Sequence, residues 1–98
     1  FQVTQETPYK FTSPPELQTA ASCWPNRGGT NPPLFLVNSW VESYPPNPEK
    51  ATIVNRRPFL LERARRCEMQ RSLTANLLAV DFADRGDVVG VARVLNRR

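Results

Sequence analysis

Proline fixes its own φ and removes a backbone donor, so it is excluded from helix interiors and central strands. Here nine of ten prolines lie between Pro8 and Pro48, in Pro14-Pro15, Pro32-Pro33 and Pro45-Pro46-Asn47-Pro48 among others. Much of the first half of this 98-residue chain is thereby denied regular structure. Few elements can form, and the apolar runs show which.

Leu34 to Val37 is a short apolar run of strand type, ending in Asn38-Ser39-Trp40. Asn76 to Phe82 is a second, and it ends in a carboxylate, which reads as a buried strand delivering Asp81 to one end of a sheet. In α/β proteins that end is where the chemistry sits. After it, Gly86-Asp87 opens a run with Val88, Val91, Ala92 and Leu95 at helical spacing, and Asp87 is a natural N-cap. Phe1 to Thr7 alternates in part, which suits a short strand carrying Glu6 at its C-terminal end. From Pro8 to Pro33 the chain is turn-rich, with one amphipathic turn near Pro15 to Ala21 and a clear loop at Asn26-Arg27-Gly28-Gly29. A proline-rich loop from Val41 to Pro46 follows the second strand. Asn47 and Pro48 then mark a helix start, and Pro58 forces a break near Asn55 to Arg57. The next helix runs from about Pro58 to about Gln70, with Phe59, Leu60, Ala64 and Cys67 inward. Ser72 to Ala75 turns into the last strand.

Three parallel strands with two faces to cover make a poor free-standing domain. We therefore expect a piece of something larger, either a fragment or one chain of a cleaved protein. The net charge is +4, from thirteen Lys and Arg against nine acids, with no histidine. Arg56, Arg57, Arg63, Arg65, Arg66 and Arg71 gather on or beside one helix, interleaved with Glu62 and Glu68. They read as a solvated outer face with intrahelical ion pairs, or as a contact for an anionic membrane surface, and no nucleic-acid partner is expected. Arg97 and Arg98 form only a short terminal tail. Cys23 and Cys67 make no metal-binding set. They are either a disulfide, as in an exported protein, or two buried thiols. The longest apolar runs are four or five residues, far short of the roughly 20 of a membrane span.

The segments Leu34 to Trp40, Val54-Asn55, Leu60 to Cys67, Asn76 to Phe82 and Gly86-Asp87 together resemble one family. It is the secreted microbial proteins related to phosphatidylinositol-specific phospholipase C, the PLC-like phosphodiesterases. Cys23, the Asn26 to Gly29 loop, Val3-Thr4-Gln5-Glu6 and Tyr9 agree with it. The family fold is an irregular TIM-type (β/α) barrel of typically about 250 residues. The resemblance implies that this chain is the C-terminal part of one such barrel domain. It would supply the last three strands, at Phe1 to Glu6, Leu34 to Val37 and Leu77 to Asp81, with the helices after the last two. A missing N-terminal segment or companion chain would supply the rest.

In the family one histidine is general base on the inositol 2-hydroxyl and another is general acid toward the leaving oxygen. Both belong to the early strands, so this chain alone cannot run the reaction. By resemblance Asp81 is the carboxylate that orients a catalytic histidine; its plainer alternatives are capping the next turn or pairing with Arg85. Glu6 matches a position that bonds inositol hydroxyls, against a solvated strand end. Tyr9 falls near an aromatic that stacks on the ring, although the spacing from Glu6 differs from the bacterial phospholipases. Asn38, Ser39 and Trp40 should face the same mouth, with Ser39 departing from the Asn-His-Trp common in the group and Trp40 open to a packing role. Arg27 meets a phosphate or is solvated, and Asp84, Arg85 and Asp87 serve turns and caps. No cofactor is expected. The calcium of the eukaryotic enzymes is not indicated by this segment. The expected ligand is phosphoinositide-type or sugar-like, the expected location extracellular. The alternative function is a catalytically inactive, lectin-like or defence binding protein using the same pocket.

Overall fold

The structure is a computed structural model that describes residues 3–97. Among these, three short strands form one parallel sheet in the order β1 (Thr4–Glu6), β2 (Leu34–Asn38), β3 (Leu77–Ala79). Thr4 lies beside Leu34 and Glu6 beside Leu36; on the other side Leu36 lies beside Leu77 and Asn38 beside Ala79. The helices are α1 (Pro48–Val54), α2 (Arg57–Arg71) and α3 (Val88–Asn96), and two 3-10 turns cover Pro14–Gln18 and Ala20–Cys23. The chain is thus a small α/β unit in the order β1, two 3-10 turns, β2, α1, α2, β3, α3.

Helix boundaries follow the local chemistry. The Asn47 side chain accepts from the backbone N–H groups of Glu49 and Lys50, at 3.0 and 3.2 Å, with Pro48 in the first turn. Pro58 likewise sits at the start of α2, where its missing N–H costs nothing, and this separates α1 from α2 at Asn55 and Arg56. Ser72 ends α2 in the left-handed region at φ 55°. Asp87 caps α3 by accepting from the N–H of Gly90. Asn55, fully buried, donates to the carbonyls of Asp81 and Phe82, and its own carbonyl accepts from Asp87 N–H. Gly86 lies so close that a Cβ there would come within 2.4 Å of the Asn55 backbone.

Strand alternation sorts the side chains sharply. Phe35 and Val37 are fully buried against Cys23 and Cys67, with Leu78 partly buried beside them. Leu60, Ala64, Val91 and Leu95 form a neighbouring cluster that also takes Leu78 and Val80. The helices therefore lie on one face of the sheet. On the other face Leu34 is 39% and Leu77 47% exposed. Cys23 and Cys67 are joined in a disulfide beneath β2, at a Cα separation of 5.1 Å.

Four expectations are corrected. The first strand begins at Thr4; Val3 is outside it, and Phe1 and Gln2 lie outside the described residues, as does Arg98. The last strand is short and half-exposed rather than buried, because it is the sheet's edge, and it stops two residues before Asp81. Glu6 is no solvated strand end but is 1% exposed. Arginines of α2 do not all face solvent. Arg63 is fully buried and Arg71 partly so.

Arg63 is the least expected core residue. Its guanidinium donates to Asn38 O twice (3.1 and 2.7 Å), to Leu17 O (3.1 Å), and to Ser22 O and Oγ (3.1 and 2.7 Å). Phe11 lies beneath it at 5.2 Å. Burial, and then the charge of Arg66, pull its pKa down to about 9, so it stays protonated at neutral pH. Among the described residues it has no carboxylate partner; backbone carbonyls satisfy it instead. Arg71 plays a smaller version of this part, donating to Gln5 Oε1 and to Cys23 O while lying over Phe35.

Candidate functional site at the C-terminal ends of the strands

Glu6, Asn38 and Asp81 lie at or just past the ends of three neighbouring parallel strands, so one end of the sheet gathers them. The Glu6 carboxylate is held by three donors. Arg27 pairs with it through both Nε and Nη2, Asn26 donates at 3.2 Å, and Asn38 Nδ2 donates at 3.0 Å. Asn38 also donates to Thr7 O at 2.8 Å, and its backbone N–H to Thr7 Oγ1 at 3.0 Å. Because Arg63 grips the Asn38 carbonyl from the helix side, Asn38 is fixed from both faces of the sheet.

Burial raises the Glu6 pKa, but hydrogen bonds from Arg27, Asn38 and Asn26, with the Arg27 charge, outweigh it and hold the carboxyl below its ordinary 4.5. A carboxyl depressed on folding adds stability above its unfolded value, and that contribution fades as pH falls through the folded one. An NMR titration should place Glu6 below 4.5, with Arg27→Gln moving it upward. A Glu6 titrating at or above 4.5 in the unsubstituted protein would show that the Arg27 pair does not form.

From this cluster an aromatic path leads toward Asp81. Arg27 lies over the Tyr9 ring at 4.7 Å, and Tyr9 stacks with Trp40 at 6.0 Å with planes 26° apart. Trp40 and Asp81 line the same cleft of about 560 Å³, with Thr12, Glu42, Ser43 and Tyr44. Asp81 Oδ1 is buried and has no hydrogen-bond partner, and no ion pair with Arg85 forms among the described residues. Burial raises the Asp81 pKa, partly offset by a bond from its own backbone N–H. Arg27 is neither fully solvated nor simply available to phosphate, since Glu6 and Tyr9 both engage it.

Ser39 differs from its neighbours. It is fully buried with Oγ unpartnered, and alternation turns it away from the side that carries Asn38. Sequence reasoning placed Glu6, Tyr9, Asn38, Trp40 and Asp81 at one end of the molecule, and the structure brings them there. It missed Asn26 and Thr7, whose roles depend on contacts far along the chain, and it missed Arg63. A signal for Arg63 existed, since positions 60, 63, 64 and 67 share one helix face. Among known proteins, no family model, no curated sequence and no solved structure matches this chain. Among the described residues no group of three or more His, Cys, Asp or Glu could hold a metal ion, and no helix is long and apolar enough to cross a membrane.

Proposed function

We propose that this chain is the C-terminal portion of a secreted PLC-like (β/α) barrel that cleaves a phosphodiester, phosphoinositide or related, by general acid–base catalysis. The observation that carries the proposal is Asp81: a carboxylate with one buried, unpartnered oxygen, at the end of a parallel strand, facing a cleft. Such an oxygen is costly to leave unbonded, and an imidazole N–H from the companion segment would satisfy it. Asp81 would then set the tautomer of that histidine and stabilise its protonated form. Asn38 would meet hydroxyls, with Tyr9 and Trp40 offering ring faces, and Glu6 would reach a ligand only by giving up one of its internal donors. The buried disulfide suits an oxidising, extracellular setting, and any contact with a membrane surface would be peripheral.

A second reading, an inactive binding protein, is favoured by the Glu6 carboxylate, already saturated by internal donors. One experiment separates the two. The protein purified with any companion segment is incubated with phosphatidylinositol vesicles, and release of soluble phosphoinositol is followed. Catalysis is expected, and Asp81→Asn should lower kcat by about 10² to 10⁴-fold. The substitution should leave stability unchanged or raise it, since it removes a desolvated charge. Binding of inositol without turnover by the unsubstituted protein would instead establish the second reading.

A further inference from the structure

β3 ends at Ala79, two residues before Asp81, so no strand ladder fixes this carboxylate. What fixes it lies on another element. Pro58 separates α2 from α1 and leaves Asn55 at the corner between them, as the C-cap of α1 and fully buried. The Asn55 Nδ2 donates to Asp81 O at 2.9 Å and to Phe82 O at 3.2 Å, groups 26 and 27 residues away along the chain. Its Oδ1 is buried without a hydrogen-bond partner, so those two carbonyls alone orient the amide.

The turn that Asn55 holds is a strained one. Phe82 stands at φ 47°, in the left-handed region that bulky side chains rarely enter. Residues in such conformations persist where their surroundings over-determine them, and they gather at functional sites. Here the surroundings are the Asn55 amide, the Arg85 N–H, which also donates to Phe82 O at 2.8 Å, and Gly86. Gly86 lies against the Asn55 backbone with no room for a Cβ, and beside it Asp87 N–H donates to Asn55 O at 2.9 Å. Returning Phe82 to an ordinary φ would rotate its peptide link to Asp81 and take the Asp81 carbonyl off the amide.

We infer that Asn55 is a positioning residue for Asp81: its amide locks the turn at Asp81 and Phe82 in the left-handed conformation that keeps one carboxylate oxygen buried at the cleft. This rests on the proposed role of Asp81 and names what sets its orientation. Burial holds the Asp81 pKa above 3.8, so a carboxylate released to water titrates lower, whether or not catalysis is found. Glu42, the other carboxylate lining the cleft, and Arg85, which forms no ion pair among the described residues, stay in place throughout the test.

The test is an NMR titration of the Asp81 carboxyl in the protein purified with any companion segment. Asn55→Ala removes the amide, and Phe82→Val sets a β-branched residue where φ is positive; both should bring the Asp81 pKa down toward 3.8. Phe82→Gly loses the same ring but accepts the left-handed φ, and should keep the pKa raised. Val54→Ala loosens the neighbouring cluster of Phe11, Leu17 and Val41 without touching the turn, and should also keep it raised. An unmoved Asp81 in Asn55→Ala, an equal shift in Val54→Ala, or identical behaviour of Phe82→Val and Phe82→Gly overturns the assignment. Where phosphoinositol is released, kcat should fall about 10²-fold in the two releasing variants, with KM held. Titrations that follow this pattern with no turnover in any variant uphold the positioning role and overturn the catalytic reading.

Discussion

Replacing Arg63 with methionine should cost the fold about 3 to 5 kcal/mol, most of the margin of a small domain. The side chain is fully buried and bonds to three segments distant in sequence, at Leu17, Ser22 and Asn38. Methionine fills the volume and takes the guanidinium donor from the buried carbonyls of Ser22 and Asn38, each at about 1 to 3 kcal/mol, while Leu17 O keeps Arg66 and Ser22 Oγ as donors. Relief of a desolvated charge offsets part of this. It does not offset all of it, because the carbonyls cannot turn to water. A urea titration under oxidising conditions reads the loss as a lower midpoint with little change in slope. Arg63→Lys should recover only part, since one ammonium cannot span the fork of acceptors. A methionine variant with the unsubstituted midpoint would mean that the buried arginine is a spectator.

The second large effect belongs to the disulfide. Cys23 and Cys67 are 44 residues apart, and on the chain-entropy account closing such a loop stabilises the fold by about 4 kcal/mol. Replacing both with alanine, or adding reductant under conditions that open the bond, should lower stability by about that much. The disulfide also ties the Ala20–Cys23 turn to α2 directly beneath Phe35 and Val37. Its loss should therefore expose the first half of the chain before α3, which hydrogen exchange resolves residue by residue. Uniform loss of protection across α2 and α3 would show instead that the chain unfolds as one unit.

Local chemistry made much of this fold legible. Asn47 and Asp87 announce helix starts because a short polar side chain can satisfy the first free N–H groups, and both do so. Pro58 announces a break because it cannot be interior, and the break is there. The strand at Leu34 was readable because a four-residue apolar run following Pro32-Pro33 has few other conformations open to it. Edges were harder. Leu77 to Val80 has the composition of a buried strand, yet β3 stands at the margin of the sheet; composition reports what a strand needs, and not whether this chain provides it. The arginines of α2 were misjudged for the converse reason. A charged side chain is normally solvated, and only three-dimensional convergence of carbonyls could say that Arg63 is an exception. The Glu6 cluster likewise depends on Asn26 and Arg27 arriving from 20 and 21 residues away, a distance over which spacing carries no geometric information.

The Asn26 to Gly28 loop bonds along the outer margin of β1, where Glu6 N–H donates to Arg27 O and Glu6 O accepts from Asn26 N–H. Sheets with two bare margins add copies of themselves without limit, and the products are fibres. Once one margin is stoppered, two identical chains can meet at their bare sides and no third can follow. Separated from any companion segment and concentrated, this chain should accordingly stop at dimers rather than grow into filaments.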